Sequence, residues 1–369
     1  MFCTSAKSKE SCDFLNTIIT ILITVLIFGL LIFIHEFGHF ITAKLCGVRV
    51  HEFALGMGPK LFSFGKKETQ YSLRLLPIGG YVKMEGEDSE SQDERAFCNK
   101  KVWQRIIIVS AGAIMNLILG FVILVICVCA FSHLISSTTI AEFSENAVTE
   151  QSGLQIGDKI IEINGKRVNI SNDVVFELQR TKTTLDGKYL LADMTVVRNG
   201  QKVEINDVNF LYKKISDEKT QTSYNQLIID FKVQGIKKNI FSVIKQAFFE
   251  GVVIGKSIWI SLVDLVSDFQ LNKISGVVGV GEVIGEATFA GIDYLLNIVT
   301  FITINLGIFN LLPIPALDGG RLLFLIFEAV FRKPIPAKYE GIIHAVGFII
   351  LIGFMFLVMF KDIFVLFVR

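Results

Sequence analysis

Four apolar runs fix what this chain can fold into. Ile18–Ile34, Ile106–Phe131, Tyr294–Leu317 and Ile342–Phe360 contain no Asp, Glu, Lys or Arg. A helix needs about 20 residues to cross the hydrocarbon of a bilayer, and each run is that long or nearly so. Inside lipid every backbone polar group must be satisfied within the segment, which a helix does unaided. The runs therefore predict a polytopic α-helical membrane protein with four transmembrane helices. Composition agrees, with 51% hydrophobic and 19% charged residues against about 25% charged in soluble domains. Lys plus Arg number 36 and Asp plus Glu 35, so there is no basic footprint for nucleic acid. The 32 Phe and the apolar majority exclude a disordered chain. The first run is followed by residues loaded with chemistry and is read as a retained span rather than a signal peptide.

A fifth segment, Ile240–Phe269, carries Lys245, Glu250, Lys256, Asp264 and Asp268. Charge at every turn or two suits a helix lying in the membrane interface. Residues 41–105 and the connector 318–341 are rich in Lys and Arg, which makes them the cytosolic segments. Four spans then place residues 132–293 and both termini on the outer face. The predicted organisation is 1–40, N-terminus and first span; 41–105, cytosolic loop with a β-hairpin; 106–131, second span; 132–237, extracytoplasmic module; 238–293, interfacial helix and glycine-rich loop; 294–317, third span; 318–341, cytosolic connector; and 342–369, fourth span and C-terminus. All six cysteines lie at or before Cys129, so the outer module is not built on disulfides.

The outer module reads as α/β. Gly157 to Gly165 gives a turn, a strand and a second turn, Asp173–Arg180 a short helix, and Asn199-Gly200 a hairpin turn between Met194–Arg198 and Gln201–Ile205. The pattern from Ala147 to Val168 resembles a PDZ domain of the bacterial protease type, which binds an extended chain end as an added strand. On the cytosolic side, Lys60–Phe64, Gly65-Lys66-Lys67 and Gln70–Leu75 read as another hairpin.

The chemistry stands at the end of the first span, as His35-Glu36-Phe37-Gly38-His39. Residues four apart share a helix face, so both imidazoles can reach one ion, with Glu36 between them to take a proton. Ionisable groups in an apolar segment are costly and mark function. A catalytic zinc takes three protein ligands and a water. Asp318, the first charge after the third run, supplies a carboxylate at the same membrane face if one span separates the two. Had residues 240–269 crossed, Asp318 would emerge on the opposite face from His35. His51, His133 and His344 are isolated and read as structural.

With HEFGH in the first span, a PDZ-like insertion and Asn310-Leu-Leu-Pro313-Ile-Pro315-Ala-Leu-Asp318-Gly319-Gly320 after the third, the chain resembles the site-2 protease family of intramembrane zinc metalloproteases, and most closely the bacterial regulator of sigma-E protease group. Gly112-Ala113-Ile114-Met115-Asn116 resembles that family's small-residue motif, without the Pro often found beside the Gly. The resemblance implies one Zn2+ per chain on His35, His39 and Asp318, Glu36 as general base, and Asn310 at the substrate or the developing oxyanion. It implies cleavage of the membrane segments of single-span proteins, such as anti-sigma factors and signal-peptide remnants, in regulated intramembrane proteolysis at a bacterial inner membrane. In this family the loop before the second span forms a membrane-associated β-structure. The other reading is a non-catalytic membrane scaffold recruiting partners through the PDZ-like module. A transporter would need polar residues spread through several spans and a hydropathy repeat, and neither is present.

Overall fold

A computed structural model describes residues 6–65, 67–87, 91–181, 189–217, 222–267, 276–333 and 335–368. In chain order the elements are α1 (Ala6–Leu45), β1 (Val50–Phe64), β2 (Gln70–Met84), α2 (Val102–Phe131), β3 (Ile135–Phe143), α3 (Val148–Gln151), β4 (Lys159–Ile163), β5 (Lys166–Arg167) and α4 (Ser171–Gln179). They continue with β6 (Tyr189–Arg198), β7 (Gln201–Asp217), β8 (Thr222–Ile228), β9 (Phe231–Ile236), α5 (Ile240–Ser267), α6 (Val277–Ala290), α7 (Ile292–Leu311), α8 (Asp318–Phe331) and α9 (Ala337–Val368). Two compact units result, one formed by Met1–Ile123 with Ser257–Arg369 and the other by Leu124–Lys256.

The first unit holds the apolar helices. Phe14–Leu45, Val102–Phe131, Ile292–Leu311 and Lys338–Phe364 are the helices among the described residues that are long and apolar enough to cross a membrane. The chain is thus an integral membrane protein with four candidate spans. α5 is as long but carries Lys245, Glu250, Lys256 and Asp264, and falls outside that set; its expected continuation to Phe269 lies outside the described residues.

Two differences from the sequence reading have clear causes. The third apolar run is helical only to Leu311, because Pro313 and Pro315 lack donors and push the residues before them out of the helical region. The polar connector after it is mostly helix, as α8. The glycine-rich stretch expected as a loop is α6 from Val277 onward; Ser275 lies outside the described residues. Glycine in a helix costs about 1 kcal/mol against alanine, and here tertiary contacts override it. A Cβ on Gly285 would stand 2.7 Å from Thr20 Cγ2, and one on Gly281 3.8 Å from Thr24, so the glycines set how closely α6 lies on α1. The Asp362 carboxylate of α9 accepts the N–H groups of Gly276 (2.8 Å) and Gly279 (3.2 Å), capping the start of α6 from another helix.

β1 and β2 form more than the short hairpin expected. Val50–Leu55 pairs with Gly80–Met84 on one side and with Gln70–Leu73 on the other, while Lys60–Phe64 pairs with Tyr71–Arg74. Gly56 and Gly58, each at φ +82°, bend β1, and Gly79 at +74° bends β2, so two long strands form three short ladders in one curled sheet. Left-handed φ is nearly free only for glycine. Among the described residues Gly80–Met84 is an edge, paired with Val50–Leu55 alone.

The second unit carries an antiparallel sheet in the order β8-β7-β6-β4-β3-β9, with β5 on β4. Asn199 and Gly200 take the two positive φ values, 53° and 82°, of the expected tight turn between β6 and β7. The expected helix is α4. β6 alternates buried and exposed side chains, and Leu154, Ile160, Ile163, Leu178, Leu190, Met194 and Phe210 fill the core against it. Asp158, wholly buried, is satisfied by the guanidinium of Arg198 at 2.8 and 2.7 Å and by the Gln155 N–H at 2.9 Å.

Candidate active site

The site is assembled on one face of α1. His35 and His39 lie one turn apart with ring centroids 4.9 Å apart and Nε2 atoms 3.2 Å apart. α2 packs closely there because both helices are small at the contact. A Cβ on Gly38 would stand 2.5 Å from the Ala111 carbonyl oxygen. A Cβ on Gly112 would stand against His39 Nε2 and 2.7 Å from His35 Cε1, so only glycine leaves room for both rings. His39 Nδ1 donates to the Ile108 carbonyl at 2.8 Å, which leaves the Nε2 lone pair directed at His35 and Asp318.

Asp318 is brought in by the break after α7. Leu312 is extended, Ala316 adopts φ +77°, Leu317 is extended, and α8 begins at Asp318. A left-handed non-glycine residue costs about 1–3 kcal/mol unless its surroundings hold it. Here the Ala316 N–H donates to His344 Nδ1 of α9 at 3.0 Å. The turn folds onto itself tightly: a Cβ on Gly319 would stand 2.6 Å from the Leu312 carbonyl carbon, and one on Gly320 2.6 Å from the Ile314 oxygen. Asp318 opens α8, where its negative charge meets the positive end of the helix dipole.

Asp318 Oδ2 lies 3.2 Å from His35 Nε2 and 3.3 Å from His39 Nε2. It is buried with no hydrogen-bond donor aligned on it. An orphaned buried oxygen facing two imidazole nitrogens is what a metal site looks like from its ligands, and these three residues are the group among the described residues whose atoms converge in that way. Two imidazoles and a carboxylate suit zinc with a fourth position open.

Glu36, almost fully buried, lines the same cavity of about 1290 Å³. Its wall also includes the sheet edge from Gly80 to Glu87, Arg321 and His344. Asn310 is half-buried near the end of α7 and stands outside that lining.

The arrangement has relatives. The profile of peptidase family M50 matches residues 23–354. The chain belongs to peptidase family M50. A Clostridium acetobutylicum protein named as a zinc metalloprotease is 38% identical over 93% of this chain and 97% of its own length. The regulator of sigma-W protease RasP of Bacillus subtilis is 31% identical over 95% of this chain and 99% of its own, and the zinc metalloprotease RasP of Geobacillus kaustophilus 29% identical over 94% and 98%. As an M50 peptidase of the site-2 type, the chain is a zinc metalloprotease.

Within this M50 framework three lining residues escaped the sequence reading. His51 and His344 read as isolated, yet His51 pairs with Glu85 at 2.7 Å and both histidines reach the cavity wall. Arg321 is one turn beyond Asp318 on α8, a spacing that places it on the same face, and it is ion-paired with Glu87.

Proposed function

We propose that this M50 peptidase is an intramembrane endopeptidase that cleaves the membrane segments of single-span proteins, anti-sigma factors and signal-peptide remnants among them, in regulated intramembrane proteolysis at a bacterial inner membrane. One observation carries the reading: His35, His39 and Asp318 converge at the wall of a polar cavity, with Glu36 beside them, in a unit built from apolar helices. His35, His39 and Asp318 would hold the zinc. When bound, zinc polarises a scissile carbonyl and lowers the pKa of a coordinated water, so hydrolysis proceeds near neutral pH. Glu36 then serves as the general base that takes the water's proton and returns it to the leaving amine.

Hydrolysis in the membrane demands water at the site, and the charged wall of Glu52, Lys83, Glu85, Glu87 and Arg321 keeps the cavity hydrated. A substrate helix hides its amides in its own hydrogen bonds, so the segment must extend before it is cut. The unpaired side of Gly80–Met84 offers backbone groups to an extended chain at the cavity wall. Asn310 is assigned to the substrate or the developing oxyanion; its place before the Pro313 break suits contact with a segment entering past that turn.

Residues 132–237, within the Leu124–Lys256 unit, are assigned the PDZ-like role, on the outer face with both termini, excluding untrimmed proteins or holding a newly exposed chain end. The antiparallel sheet, α4 packed on β3 and β4, and the turns at Asn164-Gly165 and Asn199-Gly200 support that assignment. The name of the Bacillus subtilis relative, a regulator of sigma-W protease, supports the link to anti-sigma control.

The test is a pair of variants of the purified, detergent-solubilised chain incubated with single-span substrates. Glu36→Gln is expected to keep zinc and stop cleavage, and Asp318→Ala to lose both. Retained cleavage in Glu36→Gln would overturn the reading of Glu36 as the base, and zinc-loaded wild type that cleaves nothing would leave the chain as a scaffold.

A further inference from the structure

We propose that Asn116 is a positioning residue for zinc: its side-chain oxygen accepts a hydrogen bond from His35 Nδ1–H and so fixes His35 in the tautomer that presents Nε2 to the metal. The inference rests on the reading of His35, His39 and Asp318 as the zinc ligands.

Both histidines turn Nε2 toward Asp318, at 3.2 and 3.3 Å. A neutral imidazole that offers Nε2 as a ligand carries its proton on Nδ1, and that proton needs an acceptor when buried. His39 has one in the Ile108 carbonyl. For His35 the partner at Nδ1 is the amide of Asn116, placed with its Nδ2 3.4 Å away. In that orientation two donors face each other once His35 binds metal. The same orientation leaves Asn116 Oδ1 buried with no hydrogen-bond partner. Oxygen and nitrogen of a side-chain amide are told apart by their hydrogen bonds, not by shape. Exchanging the two ends brings Oδ1 to His35 Nδ1–H, which gives the buried oxygen a donor and relieves the clash of two donors.

The location supports the role. Asn116 is 1% exposed, and a polar side chain so deep in an apolar helix is expensive unless it is satisfied. It follows Gly112 by one turn, and Gly112 follows Ile108 by one turn, so the three share a face of α2. Ile108 supplies the acceptor for His39, Gly112 leaves the space for both rings, and Asn116 supplies the acceptor for His35. One stripe of α2 is thus the template that orients both histidines of α1.

The experiment measures zinc affinity of the full-length protein in detergent by competition with a chelator of known affinity, alongside thermal unfolding of the zinc-free form. Asn116→Leu is expected to bind zinc about 10- to 100-fold more weakly than wild type, the usual effect of losing the outer partner of a ligating histidine. Asn116→Asp, which keeps the acceptor, is expected to bind at least as tightly as wild type. A packing role predicts the reverse order, with Leu tolerated and Asp not; that order would overturn the proposal. A second measurement needs no variant. In zinc-loaded protein carrying 15N in its histidine rings, His35 is expected to show its proton on Nδ1, and a bare Nδ1 would sink the idea. Failure of wild type to take up zinc, or His35→Ala binding as wild type does, would remove the ligand assignment itself; tight binding by wild type with an indifferent Asn116→Leu would remove only the role of Asn116.

Discussion

Gly112 and His39 share one space: where any other residue would carry a Cβ, the imidazole Nε2 of His39 stands. The histidine pair of α1 is therefore shaped from α2, and the closeness of those two helices is a condition of the proposed zinc site.

Gly112→Ala should displace both rings. Overpacking of this kind costs about 1–3 kcal/mol, which corresponds to about five- to 150-fold weaker zinc binding. Chelator competition on the purified variant measures it. Helix content by circular dichroism should stay the same, because alanine is a better helix former than glycine. Unchanged zinc affinity would show that α1 and α2 stand further apart than described.

The β1–β2 sheet should be acid-sensitive through Glu52. Burial pushes this carboxyl up, but the Ser72 hydroxyl, Arg74, Tyr81 and Lys60 outweigh it and hold it at about 2 against an ordinary 4.5. A carboxyl with a lowered folded pKa stabilises above its unfolded value, and that stabilisation is lost as pH falls from about 4.5 toward 2. Amide exchange of residues 50–84, corrected for intrinsic rates, should show protection falling across that window. Glu52→Gln should flatten the pH profile, at lower protection near neutrality, and an identical profile would count against the assignment.

Arg198→Ala should loosen the sheet of the second unit. It leaves Asp158, wholly buried, with a charge and no cation beside it. Breaking such a pair costs about 3–5 kcal/mol in a fully buried setting, and about 2–3 kcal/mol is expected here because Arg198 is partly exposed. Amide exchange of β4 and β6 in the full-length variant reads the change. Cleavage of a substrate already trimmed on its outer side should be unaffected.

Gly319→Ala should break the turn that presents Asp318, since a Cβ there meets backbone atoms of Leu311 and Leu312 rather than a side chain able to move. Zinc content of the purified variant should drop together with proteolysis. The control is Gly341→Ala, where a Cβ meets nothing within 4 Å.

The candidate site was legible in the sequence because its signals are local or contrast with their surroundings. His35 and His39 sit at helical spacing, and Asp318 is the first charge after a long apolar run. The spans showed for the same reason, and the Asn199-Gly200 turn because positive φ has few candidate residues. Asn116, His344 and Arg321 were hidden, since each acts by contact between elements far apart in sequence, and a lone polar residue looks the same whether it packs or works. The end of α7 was misplaced because Leu312 to Leu317 stay apolar through a turn, and hydropathy does not register where a helix stops. α6 was missed because glycine lowers helix propensity, while the contacts that need glycine there belong to α1. The curl of β1 and β2 depends on Gly56, Gly58 and Gly79, which looked like ordinary punctuation in a hairpin.

Asp318 opens α8 late in the chain, whereas His35 and His39 lie near its beginning. A ribosome delivers the two imidazoles and Glu36 to the membrane long before the carboxylate that completes the set. On the proposed assignment, the growing chain carries His35, Glu36 and His39 without the carboxylate for most of its synthesis. On that assignment, no N-terminal fragment that stops before the third span and its proline turn holds all three ligands.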